Sequence, residues 1–465
     1  MNVWKTVLFI FSVLCGLALI CVGLPKGGIK LGNTTLEWPT LKEALTPVAA
    51  DSTADVDEAM QQRINTLRNA KRKEFDEFCQ NNPARIYLPG NDTTYLDPFF
   101  EALENAGNKV VRILHYGDSQ LECDRMTSDL REHFQKQFGG GGVGMVPAVQ
   151  PIATYTLGQS ASPALRHYCA YGSPEFRAHH WRYGPMASMS RVDGSATFSF
   201  TTRGGDKFPH CQQFQKVSVA IRGSGTLQVR TADSTYQLNS KIEADSALRI
   251  FTATLKQKTN RATLTVSGNM DIYGIMLDGK GGVAIDNMPM RGCSGIMFTS
   301  IDRKSFAPYF KQQNVGLIIL QYGGNSVPYL KGSKSISTYM SQIRDQIALF
   351  RRVSPKSRIL FIGPSDMATS IGGRMQTYPH LGEVIDSLRT AVNDEGAAYW
   401  DMQGAMGGNG SMVQWVKARP ALAGTDYIHF TPRGAEQISQ ILYDTFLLYY
   451  KFYRFRTGKK ELKTI

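Results

Sequence analysis

The chain has 465 residues, 42% hydrophobic and 20% charged, with a formal net charge of +13 and a pI near 9.3. That length allows two or three domains, and the composition excludes a disordered or fibrous chain. The basic balance suits an anionic polymer or membrane face. No zinc-ligand spacing, RNA-recognition pattern or basic zipper is present, which speaks against nucleic acid.

Residues 7–24 carry no charge and are about long enough to cross a bilayer as a helix. Lys5 precedes them and Pro25-Lys26 ends them, with no small-x-small cleavage site. Cys15 and Cys21 lack the small residue that precedes a lipidated cysteine. The reading is a signal anchor over 1–24 that holds the chain at the inner (cytoplasmic) membrane, with the bulk on the periplasmic side. Lys26 and Lys30 compete with Lys5, so the charge asymmetry does not decide the orientation, and a cleaved signal peptide is the other reading. Five of the seven cysteines lie beyond this stretch, an odd number that leaves at least one thiol free unless it pairs between chains.

Residues 25–50 have little periodicity and read as a stalk. Residues 55–82 are helical in pattern, with Met60, Ile64, Leu67 and Phe75 on one face. A second helix is expected over 97–106, with Asp97 at its N-cap and Pro98 at its first position. Val110, Val111, Ile113 and Leu114 then form a short apolar run, a buried strand closed by His115 and Tyr116. Gly117-Asp118-Ser119 makes a sharp turn, and a charged helix is expected over 122–138. A serine there sits at the carboxyl edge of the sheet, near a helix N-terminus, where ligands bind and negative charge is favoured. The glycine run 139–144 follows a helix and leads into Val146-Pro147, so it is a loop rather than a dinucleotide fingerprint.

Between 151 and 284 the texture changes. Alternating segments at 196–202, 216–222, 227–230, 248–255, 262–267 and 271–277, separated by Gly, Ser, Asn and Asp, predict a β-sandwich of short strands. An all-β block between α/β halves is an inserted domain. Within it, His179-His180-Trp181 is expected to pack on a strand, with glycan stacking as the alternative. After it, 315–320 and 357–362 are uniformly apolar strands, 397–401 is a further strand, and helices are expected at 335–352, 381–395 and 434–450. The basic tail 451–465 reads as solvated. The domain scheme is therefore anchor 1–24, stalk 25–50, a first α/β part 51–150, the insert 151–284, a second α/β part 285–450 and the tail.

Two later stretches give Ser119 company. Gln321-Tyr-Gly-Gly-Asn325 places an amide at a strand's carboxyl end, and Asp426-Tyr-Ile-His429 precedes the closing helix. A serine hydroxyl needs a base, which His429 supplies, and Asp426 orients and charges-balances the imidazole. The oxyanion needs preorganised donors: the Ser119 backbone N–H, the Asn325 amide and a glycine-loop N–H, for which Gly292 is the candidate. The histidines lack metal-ligand spacing, and no cofactor is expected.

With these four blocks in order — Gly117-Asp-Ser119, Arg291-Gly292, Gly323-Gly-Asn325 and Asp426-x-x-His429 — the chain resembles the SGNH (GDSL-like) hydrolase superfamily over roughly 106–150 and 285–450. Gln120 stands where many members have leucine, a departure expected not to touch the chemistry. The β-insert, with Gly363-Pro-Ser-Asp366, Tyr399-Trp-Asp401 and Ala405-Met-Gly-Gly408, looks like the peptidoglycan O-acetylesterase branch, whose insert is carbohydrate-binding-module-like. The resemblance implies a flavodoxin-like parallel-sheet hydrolase domain interrupted by a β-sandwich or jelly roll. It also implies removal of O-acetyl groups from cell-wall glycan at the muramic acid 6-hydroxyl. An O-acetyltransferase with the same triad, fed by a membrane-bound acetyl donor, and a catalytically retired wall-binding protein are the rival readings.

Overall fold

The structure, a computed structural model, describes residues 72–242 and 247–459, with Trp4 and short pieces at 29–31, 34–36 and 57–63. The chain divides into two units, 1–57 and 58–465. In the first, Ile29–Leu31 pairs with Thr34–Leu36 as a short antiparallel hairpin where a featureless stalk was expected. The expected membrane anchor over 1–24 falls outside the described residues apart from Trp4. Among the described residues no helix is long and apolar enough to cross a membrane.

The second unit is built on a six-stranded sheet. Its order is Gly282–Pro289, Val110–Gly117, Val315–Gln321, Arg358–Ile362, Ala398–Trp400 and Ile86–Tyr87. The first five are parallel and the last is an antiparallel edge. In chain order the parallel strands run 2-1-3-4-5, the flavodoxin-like arrangement, whose switch point lies beside the first strand. Every residue of Val315–Gln321 is buried, because helices cover both faces of a parallel sheet. Leu114 and Tyr116 join the apolar cluster of helices Arg303–Gln312, Ser333–Val353 and Leu381–Asp394. Strand alternation turns Val111 and Ile113 to the other face. There helices Asp97–Glu104, Thr127–Phe138 and Pro432–Arg456 bring Phe99, Phe134 and Phe446 together.

The second parallel strand, Gly282–Pro289, is absent from the sequence reading. Asp286 and Asn287 interrupt its apolar run, yet Asp286 is fully buried. Arg112 of the neighbouring strand donates to Asp286 at 2.5 Å and also to Asp278, the last residue of the insert's last strand. Tyr309 Oη and the Met145 backbone N–H donate to Asp286 as well, at 3.1 and 2.8 Å. One buried cation thus joins the α/β sheet to the insert.

The insert enters after helix Thr127–Phe138 and returns as the second parallel strand. Its strands are longer than the sequence suggests. Segments 216–222 and 227–230 belong to one strand, Phe214–Arg230, and 262–267 and 271–277 to another, Arg261–Asp278. With Ser188–Thr202 they form the middle of one antiparallel sheet of eight strands, where a sandwich of short strands was expected. The Gly, Ser and Asn residues read as turns are bends. Gly268 lies opposite both Gly225 and Gly194. A Cβ at Gly225 would fall 1.9 Å from the Ser267 carbonyl oxygen, and its φ of +143° also demands glycine. Glycine kinks curve long strands without ending them. The bent sheet encloses its own core of Phe198, Phe200, Phe214, Leu264 and Ile275.

Other expectations shift modestly. The charged helix starts at Thr127 rather than 122, behind a 3-10 turn over Ser119–Asp124. Residues 139–142 form a loop, and the Gly139 and Gly141 carbonyls accept from Val283 and Gly279 N–H, so the run brings backbones together. The His179-His180-Trp181 patch lies in a loop, where Trp181 meets Tyr183 edge to face. The tail is not wholly solvated: the closing helix continues to Arg456, where Tyr453 packs on Phe100 and Arg456 pairs with Asp97 at 2.6 Å.

Candidate active site

Ser119 follows the end of the first parallel strand, Val110–Gly117, by two residues. A Cβ at Gly117 would lie 2.7 Å from Leu121 Cδ1, so only glycine lets the turn close that tightly. Asp118 caps the turn by accepting from the Gln120 N–H at 3.0 Å. Two consecutive non-glycine residues then take left-handed angles, Cys123 at φ +62° and Asp124 at +66°. Such strain persists only where surrounding bonds impose it. Here Arg131 holds the Asp124 carboxylate through two bonds of 2.7 and 3.1 Å, and Thr156 of the insert donates to it at 2.5 Å. The Tyr155 N–H donates to the Cys123 carbonyl at 3.2 Å. The insert therefore braces the serine turn.

His429 Nε2 lies 2.7 Å from Ser119 Oγ, and Nδ1 lies 2.7 Å from Asp426 Oδ2. The two residues sit in a tight loop, not a helical turn. The Gly424 N–H donates to the His429 carbonyl at 2.8 Å, and Tyr427 takes a φ of +58°. Asp426 Oδ1 accepts from the Ile428 and His429 N–H groups at 3.0 Å each. Burial pushes the Asp426 carboxyl up, but the bonds from His429 and the loop backbone outweigh it and leave it below its ordinary value. It is thereby kept ionised, as an orienter of the imidazole must be.

Asn325 lines the same small pocket as Ser119 and His429. Its Nδ2 donates to Asp118 Oδ2 at 3.0 Å and to the Cys293 carbonyl at 3.3 Å. Gly292 does not line that pocket. It lines the adjoining groove together with Asn325, with a φ of +70°. Burial raises Asp118 to about 6, against the bonds it accepts from Gln120 and Asn325.

Gln120 holds the His429 loop from the serine turn. Its side chain is buried, donates to the Ile428 carbonyl at 2.6 Å and accepts from the Phe430 N–H at 3.2 Å. The two bonds bracket His429 on either side. No local signal marks this, since the partners lie 308 and 310 residues away. The reading also lacked the ion pair of Glu122 with Arg291, at 2.5 and 2.7 Å, which ties the serine turn to the residue before Gly292.

His115 supports the strand end from below. Its Nε2 meets Gln321 Oε1 and its Nδ1 meets Thr127 Oγ1, both at 3.0 Å. Burial lowers it to about 4. A histidine held neutral in the fold but protonated in the unfolded chain contributes stability above pH 6.5 that is eroded as pH falls toward 4. The erosion approaches about 3 kcal/mol. Urea unfolding of the chain and its His115→Gln variant is expected to show a stability gap that narrows between pH 7 and pH 4.5. An unchanged gap would contradict the assignment.

Among the described residues none of the five cysteines is in a disulfide. No family model and no curated protein matches the chain. Among solved structures, it is similar to a peptidoglycan O-acetylesterase, with 20% identity and a TM-score of 0.62 over 75% of this chain and 95% of that one. A family two carbohydrate esterase from Clostridium thermocellum in complex with cellohexaose aligns more loosely, at 9% identity and TM-score 0.24 over 58% and 95% of the two chains. A salicylyl-acyltransferase from a tetracycline biosynthetic pathway aligns at 10% identity and TM-score 0.28, over 64% and 94%. The fold is SGNH hydrolase-like.

Proposed function

We propose that this SGNH hydrolase-like chain is a serine esterase that removes O-acetyl groups from cell-envelope polysaccharide, with the muramic acid 6-O-acetyl of peptidoglycan as its substrate. The observation that carries the reading is the relay from Asp426 through His429 to Ser119, two contacts of 2.7 Å at the switch point of the sheet. In this reading His429 Nε2 takes the Ser119 proton as Oγ attacks the ester carbonyl. The oxyanion is met by the Ser119 backbone N–H and by Asn325, whose longer bond to Cys293 is the one given up. The proton held on His429 then passes to the departing sugar hydroxyl. Water, deprotonated by the same imidazole, cleaves acetyl-Ser119 to acetate and free enzyme.

Two things favour a short acyl group on a glycan. The pocket beside Ser119 is small, about 180 Å³. A solved structure of similar fold is a peptidoglycan O-acetylesterase. The apolar stretch 7–24 would tether the chain at the outer face of the cytoplasmic membrane, next to such a polymer. The chemistry is tested with a fluorophosphonate probe. The chain is expected to be labelled once, on the peptide containing Ser119, and the Ser119→Ala variant not at all. Equal labelling of both would remove Ser119 as nucleophile.

A further inference from the structure

The pocket at Ser119 does not end at Asn325. On the far side of that residue a second, open concavity of about 850 Å³ begins, sharing Asn325 and Tyr329 with the first. Tyr329 stands at the junction with 78% of its surface exposed. A single exposed tyrosine is ordinary on a protein surface. This one is carried on the ridge between two concavities by a backbone that is fixed in place. It ends the 3-10 turn Val327–Tyr329, which contains Pro328, and Val327 and Leu330 on either side are buried anchors. The Tyr329 and Leu330 N–H groups donate to the Ser326 and Val327 carbonyls at 2.9 and 3.2 Å.

The groove wall is rich in small hydroxyl and amide groups, among them Ser294, Thr338 and Gln342, and its lining holds Lys334 and no carboxylate. Beside these polar groups the groove is lined by the apolar faces of Ile296, Tyr329, Leu330 and Tyr339. A sugar ring has apolar C–H faces that stack on a tyrosine and a rim of hydroxyls that bond to such groups, and few precisely placed polar groups suffice to orient a ligand. A small ester would fill the Ser119 pocket and leave the groove unused.

We infer that this groove, with Tyr329 as its stacking platform, is a subsite for the sugar units that flank the acetylated residue, so that the substrate is an internal residue of an extended glycan strand. The inference rests on the esterase reading and adds to it a polymer subsite outside the reacting centre. Tyr329 is the specificity-determining residue of that subsite.

The test is a binding titration. The full chain carrying Ser119→Ala is titrated with peptidoglycan glycan strands freed of stem peptides and acetyl esters. Adding Tyr329→Ala is expected to weaken binding about tenfold or more, and Tyr329→Trp, which restores an aromatic face, to bind as the parent does. The tryptophan variant separates a lost platform from a folding defect. A parent that binds no strand, or a Tyr329→Ala variant that binds as well as the parent, overturns the inference. The two readings fail separately. Binding that depends on Tyr329 with no acetate released from acetylated strands by the unaltered chain keeps the groove and removes the esterase. Acetate release with undiminished Tyr329→Ala binding does the reverse.

Discussion

Alanine at His429 is expected to lower ester hydrolysis by roughly 10⁴- to 10⁶-fold, with little change in stability. Among the described residues the imidazole is the base bonded to Ser119 Oγ, and without it a neutral serine hydroxyl is a poor nucleophile. The residual rate would come from binding and the oxyanion donors alone. Stability should hold because the His429 side chain is about one-third exposed and its loop is closed by backbone bonds that alanine keeps. Initial rates on a small activated acetate ester, with circular dichroism as the control for folding, check this. A variant that keeps a tenth of the parent rate would mean that another group is the base.

The second large effect is structural. Arg112→Met is expected to cost about 3–5 kcal/mol of stability in urea unfolding. The substitution leaves the Asp278 and Asp286 carboxylates buried without their cation, and each is under 4% exposed. Removing one partner of a buried ion network costs far more than the network contributes against an apolar replacement. Adding Asp278→Asn and Asp286→Asn to Arg112→Met should therefore restore part of the loss. Because Asp278 ends the insert and Asp286 lies in the α/β sheet, the single variant should loosen the two together, read as faster hydrogen exchange in both 261–278 and 282–289. A loss below about 1 kcal/mol would contradict the assignment of Arg112 as the junction.

The site was more legible in the sequence than the scaffold around it. Ser119, Asn325, Asp426 and His429 are reactive types placed at strand ends or beside a helix start, and short motifs carry that information locally. The part Gln120 plays in holding the His429 loop has no local signal, because that loop comes about 300 residues later in the chain. The Gly282–Pro289 strand was missed because a buried aspartate broke its apolar pattern, and only Arg112 on another strand makes that aspartate tolerable. In the insert, alternation located the strands, but glycine has two meanings. At Gly225 and Gly268 it bends a strand, and nothing in the local sequence separates a bend from a turn. Tyr329 gave no signal at all, since its role depends on which two hollows it divides.

Under the proposed function Ser119 releases acetate from an acetylated wall polymer. The most direct measurement is acetate release from O-acetylated peptidoglycan by the purified chain beside its Ser119→Ala twin. Steady release by the first and none by the second is the predicted result. Release by both, or silence of the first on the polymer while it cleaves a small acetate ester, would contradict the claim.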